Sequence, residues 1–342
     1  MNFLARLLLL PFATLYAIIT DVRSWLYRKK ALFSAKFDLP IVCVGNLRVG
    51  GTGKTPHIEL LLRLFSQTYQ IAILSRGYGR KTRGFRLANQ EDTPQTIGDE
   101  PMQFYEKFGE KVSIAVGEER ALAIPELLYH RPDTNLILLD DAFQHLAVKP
   151  SCSILLTEYA KPFYTDFVLP AGRLRERRKA AQRADIIIVS KCPEKLLQSQ
   201  KEEIVQKISE YAPNVPVFFT KINYGKPYFL QTKKNAEDVK KVVLLTAIAN
   251  PDYFLKAMQE RYECVLTFTF PDHYFFKEKD LTTIGKHIPD DTYLLCTEKD
   301  ATKLKNILPK TLLPKTLVMP IEVEFLEETM RTDFMLHLKS FL

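Results

Sequence analysis

Beyond Leu39 the chain alternates between two hydrophobic patterns. Short runs are apolar throughout: Ile41–Val44, Ile71–Leu74, Val112–Val116, Leu136–Asp140, Ser153–Thr157 and Asp185–Ser190. Between them lie longer stretches such as HIELLLRLF and EERALAIPELLYH, with the spacing of amphipathic helices. Uninterrupted apolar strands joined by helices predict a mostly parallel, doubly wound sheet covered on both faces. A polar amphipathic helix is expected from Lys191 to about Tyr211. The style then changes: in Pro216–Lys234 two aromatic strands flank Asn223-Tyr224-Gly225-Lys226-Pro227, which predicts a hairpin joining two domains. After the charged linker KKNAEDVKK a second α/β series follows: VVLLTAIAN, a helix from Pro251, CVLTFTF, YLLCTEKD, LVMPIEVEF and a helix near Glu327–Phe341. The expected organisation is an N-terminal helix (1–35), a main α/β domain (36–214), a hairpin linker (215–235) and a smaller α/β domain (236–342). No repeat or low-complexity tract interrupts it.

The N-terminus breaks this pattern. Leu7–Thr20 is apolar, with Arg6 before it and Arg23, Arg28, Lys29 and Lys30 after it. The run is short for a bilayer span and contains Pro11, and Asp21-Val22-Arg23 does not suit a signal-peptidase site. Flanking cations, with Tyr16, Trp25 and Tyr27 nearby, favour a helix lying in the cytoplasmic leaflet, peripheral or monotopic. A helix packed on its own domain and a true span are the alternatives. The 342 residues are 46% hydrophobic, enough for sizeable cores, and the net charge of +8 favours anionic partners or a generally basic surface. Nucleic acid is disfavoured, because the cations do not alternate with stacking aromatics. Five cysteines, an odd number with no metal or redox spacing, suggest a reducing, cytosolic compartment.

The chemistry concentrates after the first strand, in GNLRVGGTGKTP (Gly45–Pro56). Amides freed by Gly50, Gly51, Thr52 and Gly53 at a helix start form a cradle for phosphate oxygens. Lys54 would reach the outer phosphates of ATP, and the Thr55 hydroxyl would serve Mg²⁺. A strict phosphate loop has glycine where Arg48 stands, so the loop draws its freedom from Gly45, Gly50 and Gly51 instead. Asp140 and Asp141 end an apolar strand, the usual place for carboxylates that hold a nucleotide's metal. Loop and acidic pair together predict a P-loop NTPase-like fold and a nucleoside-triphosphate enzyme or switch.

Other segments are weaker signals. LSRGYGRKTRG places Arg76 at a sheet edge; IGDEP places Asp99 at a helix start, where capping is the plain alternative. VGEERALA puts Arg120 on the turn after a strand, and LPAGRLRERRKAAQR is the densest cationic patch, including Arg173. It suits an anionic headgroup or substrate phosphate, or is a solvated helix face. In the second domain, His273 of FPDHY and the strand end Glu298-Lys299-Asp300 are as readily structural or solvated.

The ordered series GNLRVGGTGKTP, SRGYGR, GDEP, VGEERA, LLDDAFQH, LPAGRLRE, FPDHYFF and TEKDA resembles the tetraacyldisaccharide 4′-kinase family of lipid A biosynthesis. The resemblance runs from the N-terminal helix to about residue 305. It implies a kinase at the cytoplasmic face of the bacterial inner membrane, moving the γ-phosphoryl of ATP to the 4′-hydroxyl of an acylated glucosamine disaccharide phosphate. It implies that Asp99 helps activate that hydroxyl with support from His273, and that Asp140 and Asp141 serve Mg²⁺. Gln144 and His145 would be site-adjacent, and Arg120 a phosphate-side cation. The rival expectation is a membrane-associated P-loop ATPase switch of the partitioning or targeting type, which shares GGTGKT; Val49 stands where many of those carry a lysine. A nucleotide-bound membrane scaffold without turnover is the third.

Overall fold

A computed structural model describes residues 3–342 of the chain. The strands are β1 (Ile41–Asn46), β2 (Ile71–Ser75), β3 (Arg86–Leu87), β4 (Ser113–Val116), β5 (Leu136–Asp140), β6 (Cys152–Glu158), β7 (Ile186–Ser190), β8 (Val217–Tyr224), β9 (Tyr228–Phe229), β10 (Lys241–Thr246), β11 (Glu263–Thr269), β12 (Tyr293–Thr297), β13 (Thr316–Met319) and β14 (Ile321–Phe325). The helices are α1 (Phe3–Arg28), α2 (Lys54–Phe65), α3 (Pro94–Ile97), α4 (Asp99–Phe108), α5 (Arg120–His130), α6 (Gln198–Ser209), α7 (Asp252–Arg261), α8 (Glu278–Gly285), α9 (Glu298–Leu304) and α10 (Glu328–Lys339).

Nine strands form the main sheet in the order β14-β8-β7-β6-β1-β5-β2-β4-β3, parallel except at the two edges. The apolar runs occupy its centre, and every residue of β1, β2, β5 and β7 is buried. Such strands read as continuous rather than alternating because helices cover both faces. Strand β1 sits between β5 and β6, so the chain winds outward from it in both directions. The carboxyl ends of strands at that reversal open into a crevice, the preferred ligand position in open α/β sheets. A smaller sheet runs β11-β10-β12-β13-β9 around its own core, including Val243, Leu294 and Val318.

The crossing between the sheets differs from the expected hairpin. Strand β8 belongs to the main sheet and β9 to the small one, so the two aromatic strands do not pair with each other. The second boundary also moves. LVMPIEVEF is two strands: β13 stays in the small sheet, whereas β14 returns to pair antiparallel with β8. Pro320, without an amide hydrogen to continue a ladder, separates them. Helix α10 follows β14 home, burying Phe334 against Phe218 of the main core. The second domain is therefore an insertion, and the C-terminal segment completes the first. Both crossings lie side by side, with the Gly225 amide donating to the Pro320 carbonyl at 3.1 Å.

Helix α1 is longer than its apolar run, at 26 residues. By length and composition, Leu4–Arg28 could cross a bilayer, with a mean hydropathy of 1.6. One side is anchored: Ala13 and Ala17 are buried, Asp21 pairs with Arg177 at 2.8 Å, and Arg23 donates to the Gln144 carbonyl at 3.1 Å. Leu4, Leu8, Phe12, Leu15, Ile19 and Val22 form a helically spaced stripe at least half exposed on the other side. The buried cysteines Cys43, Cys152, Cys192 and Cys296 are free thiols in the cores.

Candidate active site

The glycine-rich turn leaves β1 where Gly45 presses on Phe143; a Cβ there would come within 2.6 Å of the Phe143 Cβ. The buried Asn46 then gathers the loop, its Nδ2 donating to the Arg48 carbonyl at 2.7 Å and to Thr52 Oγ1 at 2.8 Å. Gly53 takes φ +87, a left-handed geometry natural to glycine, and α2 begins at Lys54. The first amides of α2 have no intrahelical partner, as at any helix start, and Pro56 has no amide to satisfy. His57 locks the turn from below: Nδ1 donates to the Gly53 carbonyl at 2.7 Å, and Nε2 accepts from Thr220 Oγ1 at 3.0 Å. Burial lowers this imidazole to about 4, so it stays neutral.

Arg48 is not part of the cradle. Its Nε donates to Asp166 at 2.8 Å, and the Glu158 carboxylate lies 3.8 Å from its guanidinium. The loop's first half is strapped by a neighbouring segment: Val49 N donates to the Arg173 carbonyl at 2.8 Å, and Arg175 N to the Leu47 carbonyl at 2.7 Å. An arginine bound into a strap thus occupies the place of the usual glycine.

Facing the loop, Asp140 and Asp141 have different environments. Asp140 is buried; its Oδ2 accepts from Ser75 at 2.6 Å, while Oδ1 has no partner. Burial pushes this carboxyl up to about 7, and the nearby Glu100 adds to the shift. Asp141, at φ +47, turns the other way and takes both oxygens to Arg175 at 2.7 and 3.0 Å, with Lys54 Nζ 3.6 Å away. Burial would raise it, but Lys54 and Arg175 outweigh burial and hold it below the usual range. An orphaned buried carboxylate oxygen in the cleft that Thr55 also lines suits a hard, oxygen-seeking ion such as Mg²⁺.

Across a cleft of about 1350 Å³, lined by both domains, lies a second cluster. Asp99 opens α4 just after Gly98, whose φ of +97 turns the chain against the backbone of Gly77 and Tyr78. Both Asp99 oxygens meet His273 Nδ1, at 3.0 and 2.9 Å, and Lys299 Nζ lies 3.6 Å away. His273, at φ +59, comes from the second domain and lies against the Tyr78 ring, with centroids 4.8 Å apart. Burial would raise the Asp99 carboxyl, but the His273 hydrogen bond and Lys299 outweigh it and hold it at about 2. The carboxylate accepts, so Nδ1 carries the hydrogen and Nε2 is left as the basic nitrogen.

Of the remaining expected residues, Arg76, Arg120, Gln144, His145 and Arg173 all line this cleft. Arg120 is buried, donating to the Gly117 and Glu118 carbonyls at 3.1 and 3.2 Å. Gln144 joins the strap to the loop, donating to the Asn46 carbonyl at 2.9 Å and accepting from Arg175 at 3.1 Å. Burial, with Arg120, Arg23 and Arg76 nearby, lowers His145 to about 4. The dense cationic patch is largely consumed internally: Arg175 by Asp141, Arg178 by the Asp166 carbonyl, and Arg183 by Glu176. Arg173 keeps an exposed side chain. One cation escaped the sequence reading. Lys191, just past β7, donates to the Gly51 carbonyl at 2.6 Å and to Glu158 at 2.9 Å. Its position at the carboxyl end of a parallel strand was the available signal.

Comparison with known proteins bears on this arrangement. The family model described as "Tetraacyldisaccharide-1-P 4'-kinase" matches residues 5–339. A tetraacyldisaccharide 4′-kinase of Flavobacterium johnsoniae is 42% identical over 334 residues, 96% of each chain. One from Flavobacterium psychrophilum is 45% identical over 313 residues, 90% of each chain. Among solved structures, LpxK from Aquifex aeolicus in complex with ATP superposes with a TM-score of 0.74 at 25% identity, covering 96% of this chain and 98% of that one.

Proposed function

The chain belongs to the tetraacyldisaccharide-1-P 4′-kinase family, and from that premise we propose how its own residues carry out the transfer. The reaction moves the γ-phosphoryl group of ATP to the 4′-hydroxyl of a tetraacylated glucosamine disaccharide 1-phosphate, a lipid A precursor. A whole-chain match to kinases disfavours the partitioning-type ATPase switch. Amides of Gly50–Thr55 cradle the triphosphate, and Lys54 neutralises its outer end. Thr55 and Asp140 would hold Mg²⁺, which would supply charge neutralisation on the phosphates, while Asp141 keeps Lys54 and Arg175 in place. Arg76, Arg120 and Arg173 provide cationic charge around the phosphates, and Gln144 and His145 border the acceptor.

The 4′-hydroxyl oxygen forms its bond to the γ-phosphorus as the bond to ADP breaks, and the hydroxyl proton passes to the Asp99–His273 pair. A transition state with little bond formation needs the base late, so a carboxylate kept ionised serves. The observation that carries this reading is the 2.9 Å contact between Asp99 and His273, drawn from opposite domains across the cleft that Lys54 lines. The exposed stripe of α1 supports placing the enzyme on the cytoplasmic leaflet. An acylated substrate leaves the bilayer only at about 0.8 kcal/mol per CH₂ exposed, so the enzyme comes to it. The test follows label from γ-labelled ATP. Transfer to the disaccharide lipid is expected; phosphate release that ignores the lipid would return the ATPase switch.

A further inference from the structure

The TEKD sequence that closes β12 reads equally as structural or as a solvated strand end, and in the fold each of its side chains is committed. Thr297 caps α9, accepting from the Asp300 amide at 3.2 Å. Glu298 reaches Lys107 at 2.8 Å and the Ile321 amide at 3.2 Å. Asp300 accepts from the Ala247 amide at 3.1 Å and from Thr297 at 2.7 Å. Glu298 and Lys299 both reach α4 of the first domain, and Lys299 reaches its opening carboxylates. Its Nζ lies 3.1 Å from Asp272, 3.6 Å from Asp99, 3.6 Å from Glu100 and 3.5 Å from His273 Nε2, with the side chain 15% exposed.

This placement has a cost that identifies its purpose. A helix start favours anions, so Asp99 and Glu100 suit the first turn of α4, whereas an ammonium in the first turn of α9 is unfavourable there. Only its partners justify it. Without Lys299, three carboxylates from α4 and the Asp272 turn would converge around His273, with the more distant Lys303 as the other lysine acting on Asp99.

We propose that Lys299 is a positioning residue for phosphoryl transfer: its ammonium, carried in on the second domain, gathers Asp99, Glu100 and Asp272 at the acceptor side and holds the Asp99 carboxylate against His273. The inference rests on the role of Asp99 and His273 proposed above. It makes domain apposition and readiness of the acceptor base one event, because the same inserted domain delivers both His273 and the cation that Asp99 requires. Lys299 touches neither nucleotide loop nor acidic pair, so it acts through Asp99.

The test is a double-mutant cycle on the full chain, assayed with ATP and the disaccharide lipid. Lys299→Met is expected to lower kcat roughly 10- to 100-fold, short of the ~10²–10⁴ contributed by a whole base, with KM for ATP within about twofold. Removing a cation makes the Asp99–His273 pair easier to protonate, so the acid limb of the kcat profile moves to higher pH, by about one unit or more. Lys299→Arg restores most of the turnover and the original limb. The Asp99→Asn/Lys299→Met double variant is no slower than Asp99→Asn alone. Lys299→Gln carries the same expectations should the methionine variant not fold. Turnover within twofold of wild type, an unmoved acid limb, or losses that multiply in the double variant would overturn the role of Lys299. Full turnover in Asp99→Asn would instead remove the proposed base, and with it the ground for this inference.

Discussion

The two sides of the cleft are assembled by different means. The donor side is one continuous stretch, Gly45 to Thr55, shaped mainly by main-chain groups and stabilised by partners of the same domain: Asn46, His57, Arg175 and Lys191. The acceptor side is three side chains from separate elements, Asp99 on α4, His273 after β11 and Lys299 on α9, meeting only because two sheets are held face to face. A phosphate is a uniform, high-charge target that backbone amides bind wherever a helix begins. A sugar hydroxyl must be singled out and relieved of one proton, which needs a positioned pair of side chains. The donor side is therefore local in sequence, and the acceptor side is a tertiary product.

Four experiments strain this contrast, and the largest effect is expected at the donor loop. Lys54→Ala should lower transfer at least about 10³-fold with folding intact, since it removes a preorganised cation at the reacting phosphate. Unchanged turnover measured by label transfer would detach the loop from the chemistry. Asp99→Asn comes next, lowering kcat about 10²-fold while ATP affinity, measured by calorimetry, holds. The reverse split, with ATP affinity lost and kcat kept, would return Asp99 to helix capping.

The third tests the apposition that the acceptor side needs. Lys107 of α4 lies between buried Glu59 of α2, at 2.5 Å, and Glu298 of α9, at 2.8 Å, joining the loop helix to the inserted domain. Burial pushes the Glu59 carboxyl up to about 7 with Lys107 opposing. Lys107→Met removes the cation that Glu59 and Glu298 share and should cost about 2 kcal/mol in a denaturant titration, discounted for the partial exposure of the lysine. No change in midpoint would mean that this ion triad does not join the domains.

A comparable effect, confined to acid, comes last. Because Asp99 is held at about 2 against an ordinary 3.8, its ionised form contributes stability above pH 3.8 that disappears as pH falls towards 2. Between those values wild type should lose about 2 kcal/mol more than Asp99→Asn, read from melting curves at stepped pH. Parallel curves would show that the carboxylate gains nothing from its second-domain partners.

Much of the donor side was legible. Apolar runs located the central strands, and β1 followed by GGTGKT located the cradle, because loop geometry depends on neighbours in sequence. Arg48 was visible as a departure, yet its bond to Asp166 spans 118 positions and was beyond reading. The cationic patch misled for a related reason: charge is countable in sequence, but whether Arg175, Arg178 and Arg183 meet solvent or internal oxygen is not. The boundary at Pro320 was also in view. It was absorbed into one strand because a run of apolar residues does not say which sheet receives each half.

The order of residues determined which segments become strands and helices, where the phosphate cradle forms and which helix offers an apolar stripe, all consequences of periodicity and backbone freedom within a few residues. Tertiary structure decided that β14 and α10 return to the main sheet, and that Asp140 and Asp141 part ways. It also decided that Asp99, His273 and Lys299 become one group. Those outcomes depend on burial and on charges brought within hydrogen-bond reach from 174 and 200 positions away, and such energies exist only once the chain has closed on itself.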